Sequence, residues 1–248
     1  ALQGAAVRRV PLERERGFAL PVAAILAGWQ PTTRLVFVCS PNNPTGNQFP
    51  RADVVALAEG IAGRGVLVLD AAYAEFAPDD PTLDLLDRFE HVVVLRTLSK
   101  ALGLAGVRCG ALLGTPPLVA QLGGLLPPYS FPTTSQEAVS AALGAAAAAE
   151  ARGRRATLLA ERTRVAAALA NLPGIRRVWP SDANFVFVEA IEPATLVGRA
   201  RAAGILIRDF SQDPATPGGL RITIGTPAEN DRLLAALDPA AAPAAVRG

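Results

Sequence analysis

Short runs of aliphatic and β-branched residues alternate with stretches of helical periodicity from the start of the chain. "RLVFVCS" (34–40) reads as a buried strand that ends in a turn rich in proline and asparagine. "ADVVALAEGIAGRG" (52–65) has apolar residues at helical spacing, and "VLVLD" (66–70) and "HVVVLRT" (91–97) are further strands. Strands separated by helices require right-handed crossovers and a mainly parallel sheet. "CGALLG" (109–114) is another strand candidate.

The second half of the sequence has a different pattern. Helical periodicity runs from about Ser135 to Pro173–Gly174. Three short strands and two helices follow, and they predict a small α+β unit: strands at 183–190, 204–210 and 218–224, and helices near 193–203 and 228–237. The sequence therefore predicts an α/β protein with a large domain over 1–150, helices on both faces of its sheet, and a small carboxy-terminal domain over 151–248. The tail from 238 is expected to fray.

Composition excludes several classes of function. The net charge is only +2 and there is no basic run, so nucleic-acid binding has no support. Cys39 and Cys109 lack metal-ligand spacing and are interpreted as free buried thiols, and the single histidine, His91, has no partners for a metal site. No apolar run is long enough to span a membrane and the start lacks a signal peptide, which favours the cytoplasm.

Lys100 is the only lysine of the chain, because 24 lysines and arginines less 23 arginines leave one. An amine can lose its proton and attack a carbonyl, whereas a guanidinium stays protonated. Lys100 follows a strand within "TLSK" and is therefore a candidate nucleophile. Taken alone, an isolated lysine is more often a solvated surface charge.

The neighbouring motifs favour the catalytic interpretation. Asp70 ends the strand "VLVLD", at the sheet edge where open α/β folds bind ligands, although a carboxylate there could also be a helix cap or an ion-pair partner. Tyr73 follows it in "DAAYAEF", and "CSPNNPTG" (39–46) places backbone amides in a tight turn after another strand. Arg108 lies eight residues past Lys100, close enough to share an anion with nearby hydroxyls.

Together these motifs resemble a known family. "SPNNPTG", "VLDAAYAEF", "RTLSKALGLAGVRCG", "SDANFVFV" and "LRITIGTPAEN" are similar to the fold-type-I pyridoxal-phosphate (PLP) enzymes, and more narrowly to the histidinol-phosphate aminotransferases. The resemblance covers residues 10–237. It implies a fold-type-I α/β structure, a PLP cofactor, and no metal.

The resemblance implies a role for each cofactor-binding residue. Lys100 would bind the cofactor aldehyde and then carry the substrate proton, and Asp70 would keep the pyridine nitrogen protonated. Asn43 and Tyr73 would donate hydrogen bonds to the phenolic oxygen. The cofactor phosphate would be held by three further residues, Thr97, Ser99 and Arg108.

The resemblance also implies substrate-binding residues. Arg221 in "LRITIG" corresponds to the arginine for the substrate carboxylate, and Arg208 in "GILIRDF" to a position that reads the substrate phosphate. Asn184 in "DANF" corresponds to a position near the carboxylate. Ordinary salt bridges, and for Asn184 a turn contact, are the structural alternatives.

The expected function is amino transfer between histidinol phosphate and 2-oxoglutarate, in histidine biosynthesis, by a homodimer. Relatives with nearly the same motifs decarboxylate threonine phosphate or transaminate aromatic amino acids, and a non-catalytic fragment is a further alternative. Chains of the family have about 100 more residues at the amino end, so we expect a truncated chain with an incomplete cofactor pocket.

The long helical stretch carries five arginines that we expect to form a solvated face. They are Arg152, Arg154, Arg155, Arg162 and Arg164.

Overall fold

A computed structural model describes residues 4–240 of the chain. Its first sheet has four strands: β1 (Leu35–Cys39), β2 (Val66–Asp70), β3 (Val92–Thr97) and β4 (Gly110–Leu113). They lie in the order β1-β2-β3-β4. The pairs β1–β2 and β2–β3 are parallel, as the strand–helix alternation predicts, whereas β4 runs antiparallel to β3. The β3–β4 connection contains only a 3-10 turn (Ala105–Val107), and a parallel pairing would need a longer crossover.

Eight α-helices accompany the strands in this part of the chain. They are α1 (Val22–Ala27), α2 (Arg51–Gly60), α3 (Thr82–Arg88), α4 (Pro116–Gly123), α5 (Thr133–Ala142), α6 (Ala145–Ala170), α7 (Pro193–Ala202) and α8 (Pro227–Leu237).

The first core lies between α2 and the sheet. Leu57, Ile61 and Leu67 are fully buried there, and Trp29 packs against them from the loop after α1. Burying apolar side chains at helical spacing is what fixes α2 on the sheet. In contrast, β1 is not the buried strand that its sequence predicts: Phe37 is 67% exposed and Leu35 is 52% exposed. The strand lies at the edge of the described sheet, so its side chains have fewer neighbours.

The predicted long helix is two helices. It breaks at Gly144, whose backbone is extended (φ −62°, ψ 153°), between α5 and α6. The break separates α5 from α6 by two residues, and α6 alone then spans 26 residues. Because alanines surround Gly144, the periodic pattern contained no sign of a break except the glycine itself.

The second sheet is antiparallel throughout. Its strands are β5 (Ile175–Trp179), β6 (Phe185–Ala190), β7 (Arg208–Asp209) and β8 (Gly219–Thr223), in the order β5-β6-β8-β7. β5 was not predicted, because Arg176 and Arg177 interrupt its apolar pattern. Its last residue, Trp179, is 3% exposed and packs against Phe18.

Helix α8 closes the second core. Thr226 and Glu229 form a reciprocal capping box at its start, which satisfies two free backbone amides. Leu233 and Leu237 of α8 pack with Val165 and Leu169 of α6. The tail expected to fray begins at Asp238, and its residues from 241 onward lie outside the described residues. No helix within residues 4–240 is long and apolar enough to cross a membrane.

The segment 181–185, which leads into β6, contacts the first sheet's loops. The Asp182 backbone N–H donates to the Gly46 carbonyl (2.7 Å), and the Asp182 carboxylate accepts from the Gln48 backbone N–H (2.9 Å). Phe185 packs with Tyr73 and Phe76 in a small apolar cluster that lies between the two sheets. These contacts bring the loops after β1 and β2 against the start of β6.

Candidate active site

The carboxyl ends of three strands meet at one edge of the first sheet. Cys39 is the register partner of Asp70 across β1–β2, and Asp70 is the partner of Leu95 across β2–β3. Ligands bind outside such edges in open α/β sheets, because loops with free amides and polar side chains converge there. After β1 the chain turns through two cis peptide bonds, Ser40–Pro41 and Asn43–Pro44, and this turn presents Asn43.

Lys100 lies next to Tyr73. The ammonium nitrogen is 5.4 Å from the centroid of the Tyr73 ring, a cation–π contact between the loops after β3 and β2. Lys100 is exposed, whereas Tyr73 is buried with its ring edge-on to Phe185 at 5.2 Å. An exposed amine therefore stands over a fixed aromatic residue at the strand-end edge.

Asp70 lies at the last position of β2. One of its carboxylate oxygens, Oδ1, accepts a hydrogen bond from the Ala72 backbone N–H (3.1 Å), which orients the side chain. Asp70 also acts on the neighbouring strand: burial, and then the Asp70 charge, raise the pKa of the Cys39 thiol to about 12. Both cysteines are free, and both are only partly buried.

The loop after β3 carries the residues predicted for the cofactor phosphate. The Ser99 backbone N–H donates to Thr97 Oγ1 (3.1 Å), so the two hydroxyl residues form one turn immediately before Lys100. Arg108 has a left-handed backbone (φ 57°), unusual for a residue with a β-carbon, and its Nη1 donates to the Ala105 carbonyl (3.0 Å). Its guanidinium is exposed and is not hydrogen-bonded to Thr97 or Ser99 in this structure.

Arg221 reaches from the second sheet to the first. Its Nη1 donates to Asn43 Oδ1 (2.8 Å), although the two residues are 178 positions apart. The guanidinium lies 5.1 Å from the Phe185 ring centroid and 6.0 Å from that of Phe210. Its Nε is buried and has no hydrogen-bond partner. An unsatisfied donor on a partly buried guanidinium is a candidate position for an anion such as a carboxylate.

Arg208 lies beside Arg221, whereas Asn184 lies opposite Ile224, beyond the end of β8. Arg208 is the direct register partner of Arg221 across β7–β8, so both side chains project from the same face of the sheet, and Arg208 is exposed. Two like charges directly opposite each other repel unless an anion lies between them. The Asn184 backbone carbonyl accepts a hydrogen bond from the Ile224 backbone N–H (3.0 Å), so this contact does not involve the Asn184 side-chain amide.

A second polar group behind the loop after β2 was not predicted. Arg96 of β3 pairs with Glu75 (3.6 Å), donates to Thr82 Oγ1 (2.7 Å), and also pairs with Asp80. Burial raises the pKa of Glu75, against the opposing charge of Arg96. Arg96 therefore holds the loop after β2, which carries Tyr73, against β3. The sequence feature that could have indicated this polar group is the set of acidic residues near 75–80, which lies close to β3 only in the folded chain.

Phe185 and Phe210 were also missed. The sequence marks them only as apolar residues beside predicted site residues, because Phe185 follows Asn184 and Phe210 lies two positions after Arg208. In the fold they form the aromatic walls around Arg221. No cluster of three histidine, cysteine, aspartate or glutamate residues that could hold a metal ion occurs among residues 4–240.

An α/β fold with an exposed lysine and an aspartate at adjoining strand ends, faced by an arginine from a second sheet, defines a class of enzyme. The chain belongs to the class I and II aminotransferases, whose family model matches residues 1–237. This family is PLP-dependent.

Named relatives show which members of this family the chain resembles. Histidinol-phosphate aminotransferase of Xylella fastidiosa (strain 9a5c) is 42% identical over 238 residues, which is 95% of this chain and 65% of that protein. The enzyme of the same name from Stenotrophomonas maltophilia (strain R551-3) is 40% identical over the same shares. The predicted resemblance to this group is thus confirmed. The chain spans 65% of the length of these relatives.

A solved structure has the same fold. Histidinol-phosphate aminotransferase from Sinorhizobium meliloti, determined in complex with pyridoxal-5'-phosphate, superimposes with a TM-score of 0.80 at 31% identity. The match covers 94% of this chain and 64% of that chain. This likeness confirms the predicted fold-type-I α/β structure.

Proposed function

We propose that the protein uses PLP to transfer an amino group between histidinol phosphate and 2-oxoglutarate. The observation that carries the proposal is the hydrogen bond from Arg221 to Asn43, together with the Phe185 ring, which lies 5.1 Å from the Arg221 guanidinium and 5.2 Å from the Tyr73 ring that Lys100 contacts. Sequence identity of 42% to a relative that bears this name supports the choice of substrate.

The residues of the strand-end edge fit PLP in their chemistry. Lys100 is the one primary side-chain amine available for the cofactor aldehyde. Asp70 is a carboxylate that can hold a proton on a pyridine nitrogen. Asn43 and Tyr73 are donors for the phenolic oxygen, and the hydroxyls of Thr97 and Ser99, with Arg108, suit a phosphate dianion. When bound, PLP supplies an electron sink for the charge left after proton loss.

The chain's own groups would then orient and deprotonate the substrate. Arg221, through its unpartnered Nε, would hold a substrate carboxylate and thereby fix the direction of the substrate Cα–H bond. Lys100 Nζ would accept the proton from that carbon as a general base. Because histidinol phosphate has no carboxylate, Arg221 would serve glutamate and 2-oxoglutarate. Arg208, opposite it on β7, would contribute to binding the phosphate end, and Asn184 would lie beside the carboxylate.

We also propose the two-domain division at about residue 150, and a homodimer. The absence of any strand pairing between the two described sheets, and the position of α6 across residue 150, support the division.

Exposed apolar residues between α4 and α5 support a homodimer in which the partner subunit covers them: Leu125 is 79% exposed, Leu126 67% and Tyr129 97%. Size-exclusion chromatography with light scattering, on wild type and on Leu126→Glu, tests the dimer. A wild-type monomer would contradict it.

Paired assays test the reaction. The PLP-loaded protein is given histidinol phosphate with 2-oxoglutarate, and separately threonine phosphate alone, while glutamate and carbon dioxide are measured. Glutamate formation with the first pair supports the proposal, whereas carbon dioxide from the second would assign the protein to the decarboxylases. An aromatic amino acid as the better donor would assign it to the aromatic aminotransferases.

Visible absorbance tests the binding of PLP through Lys100 even if the protein shows no activity in these assays. Wild type loaded with PLP is expected to absorb visible light through its bound cofactor, and Lys100→Ala is expected to lose this band. Arg177→Ala, an exposed arginine on β5, should keep it. Colour that survives in Lys100→Ala would contradict the assignment of the lysine.

A further inference from the structure

One arginine of α6 does not belong to the solvated face predicted for that helix. Arg162 is half-buried, and its Nη1 alone donates to two backbone carbonyls, that of Ala183 (2.8 Å) and that of Phe76 (3.2 Å). Among residues 4–240, no carboxylate oxygen lies within 4 Å of its guanidinium nitrogens. Arg154 by contrast is exposed and pairs with Glu150 one turn away, as a solvated face requires.

The two carbonyls belong to the two halves of the candidate site. Phe76 ends the 3-10 turn that begins after Tyr73, so its carbonyl lies at the end of the cofactor-side loop after β2. Ala183 immediately precedes Asn184 and Phe185, at the start of β6. Arg162 therefore connects the segment that carries Tyr73 with the segment that borders Arg221.

The surroundings hold the guanidinium in this position. Leu158, one helical turn before Arg162, packs into the cluster of Tyr73, Phe76, Ala183 and Phe185, so one face of α6 covers both segments. Burial lowers the pKa of Arg162, and the nearby charge of Asp182 opposes that change. A buried carbonyl that loses its donor is costly, so both segments depend on this one nitrogen for a partner from α6.

We propose that Arg162 is a positioning residue, which sets the spacing between the cofactor-side loop of Tyr73 and the substrate-side strand start at Asn184–Phe185. It touches neither cofactor nor substrate. Its effect would pass through Phe185, whose ring lies between Tyr73 (5.2 Å) and the guanidinium of Arg221 (5.1 Å). The catalytic consequence rests on the function proposed above, whereas the mechanical coupling of the two segments does not.

The coupling predicts a specific pattern of ligand binding. The residues proposed for PLP all lie between 43 and 108, on one side of the contact, whereas a carboxylate bound by Arg221 needs both sides in place. We expect Arg162→Met to raise the dissociation constant of succinate, a non-reactive dicarboxylate, by about tenfold or more in the PLP-loaded protein. The dissociation constant of PLP should stay within about threefold of wild type. Calorimetry measures succinate and fluorescence measures PLP.

Two variants separate positioning from general damage. Arg154→Met, two turns earlier on the exposed face of α6, should leave both constants unchanged. Arg162→Lys keeps a cationic nitrogen that can donate to both carbonyls, and it should restore part of the succinate affinity. If Arg162→Met weakens PLP and succinate equally, or weakens neither, the positioning proposal is wrong.

Hydrogen exchange without cofactor tests the coupling by itself. In Arg162→Met, peptides covering 71–77 and 181–186 should both exchange at least about threefold faster, while a peptide covering 228–237 in α8 keeps its wild-type rate. Faster exchange in only one of the two segments, or equally in α8, would overturn the coupling. A wild type that binds neither PLP nor succinate would contradict the proposed function, and the exchange result would still decide whether Arg162 joins the segments.

Discussion

Replacement of Arg221 by lysine tests the anion site most directly. In the structure one nitrogen of the guanidinium, Nη1, is occupied by Asn43, and Nε is buried without a partner. The edge formed by Nε and Nη2 makes no hydrogen bond to the described residues, and it is the fork that we propose for a carboxylate. Lysine at this position keeps the positive charge, but it presents a single nitrogen and cannot form two parallel hydrogen bonds.

The expected loss follows from one charge-assisted hydrogen bond. Such a bond contributes about 1.5–3 kcal/mol. Because a tenfold change in affinity corresponds to about 1.4 kcal/mol, loss of one bond raises a dissociation constant about 10- to 150-fold. The buried position of Nε keeps water from replacing the missing bond, so we expect a value within this range.

Calorimetric titration of the PLP-loaded protein with succinate measures the change. Arg177→Lys is the matched control, because Arg177 is an exposed arginine of the same sheet that stacks on Trp179 at 3.5 Å, away from Asn43. We expect the control to bind succinate as wild type does. A change of less than about threefold in Arg221→Lys would refute the fork at this position.

Three further outcomes follow from other parts of the fold. At pH 8, Cys39 should react with iodoacetamide much more slowly than free cysteine, because its pKa is raised to about 12. Asp70→Asn should speed up this reaction, because it removes one of the two causes that raise the pKa. The rate is measured by mass spectrometry of the labelled peptide, and an unchanged rate in Asp70→Asn would contradict the Cys39–Asp70 coupling. Hydrogen bonds from Arg164, then Asn230, lower the pKa of Glu161 from 4.5 to about 2, so its stabilising effect is complete above pH 4.5 and is lost as the pH falls toward 2. The Tm difference between wild type and Glu161→Gln should therefore shrink from pH 6 to pH 3, and a constant difference would contradict the assignment. Phe187→Ala, at a fully buried position, should lower the free energy of unfolding by about 3–5 kcal/mol in urea titrations, whereas Leu206→Ala, 83% exposed, should change it by less than about 0.5 kcal/mol.

The local pattern was sufficient to predict β2, β3, α7 and α8 in kind and nearly in extent: Asp70 closes β2, and Pro227 opens α8 within a capping box. Helix α2 was predicted in kind, but it ends at Gly60 rather than at the glycine of position 65. β5 was missed because its outward positions hold two arginines, one of which stacks on Trp179. The exposure of Phe37 was not predicted, because the pattern of apolar residues along a strand does not indicate whether another strand or helix packs against it.

The candidate site could be outlined from sequence but its connections could not. Motifs indicated Asn43, Lys100 and Arg221 separately, and their types imply chemistry. The hydrogen bond from Arg221 to Asn43 depends on how two sheets meet, which no local spacing encodes. The same limit explains the error at Arg162, since a helical arginine looks solvated until the carbonyls of Phe76 and Ala183 are placed beside it.

The chain has two tryptophans, and the fold assigns one to each sheet. Trp29 packs on the first core, with Arg64 over its ring, and Trp179, at the end of β5 in the second sheet, is buried beside Phe18 and Phe187. Emission from a Trp29→Phe variant thus reports on the second sheet alone, and emission from Trp179→Phe on the first. With these two fluorophores, stopped-flow unfolding can time the loss of each sheet separately and reveal whether they come apart in one step or in sequence.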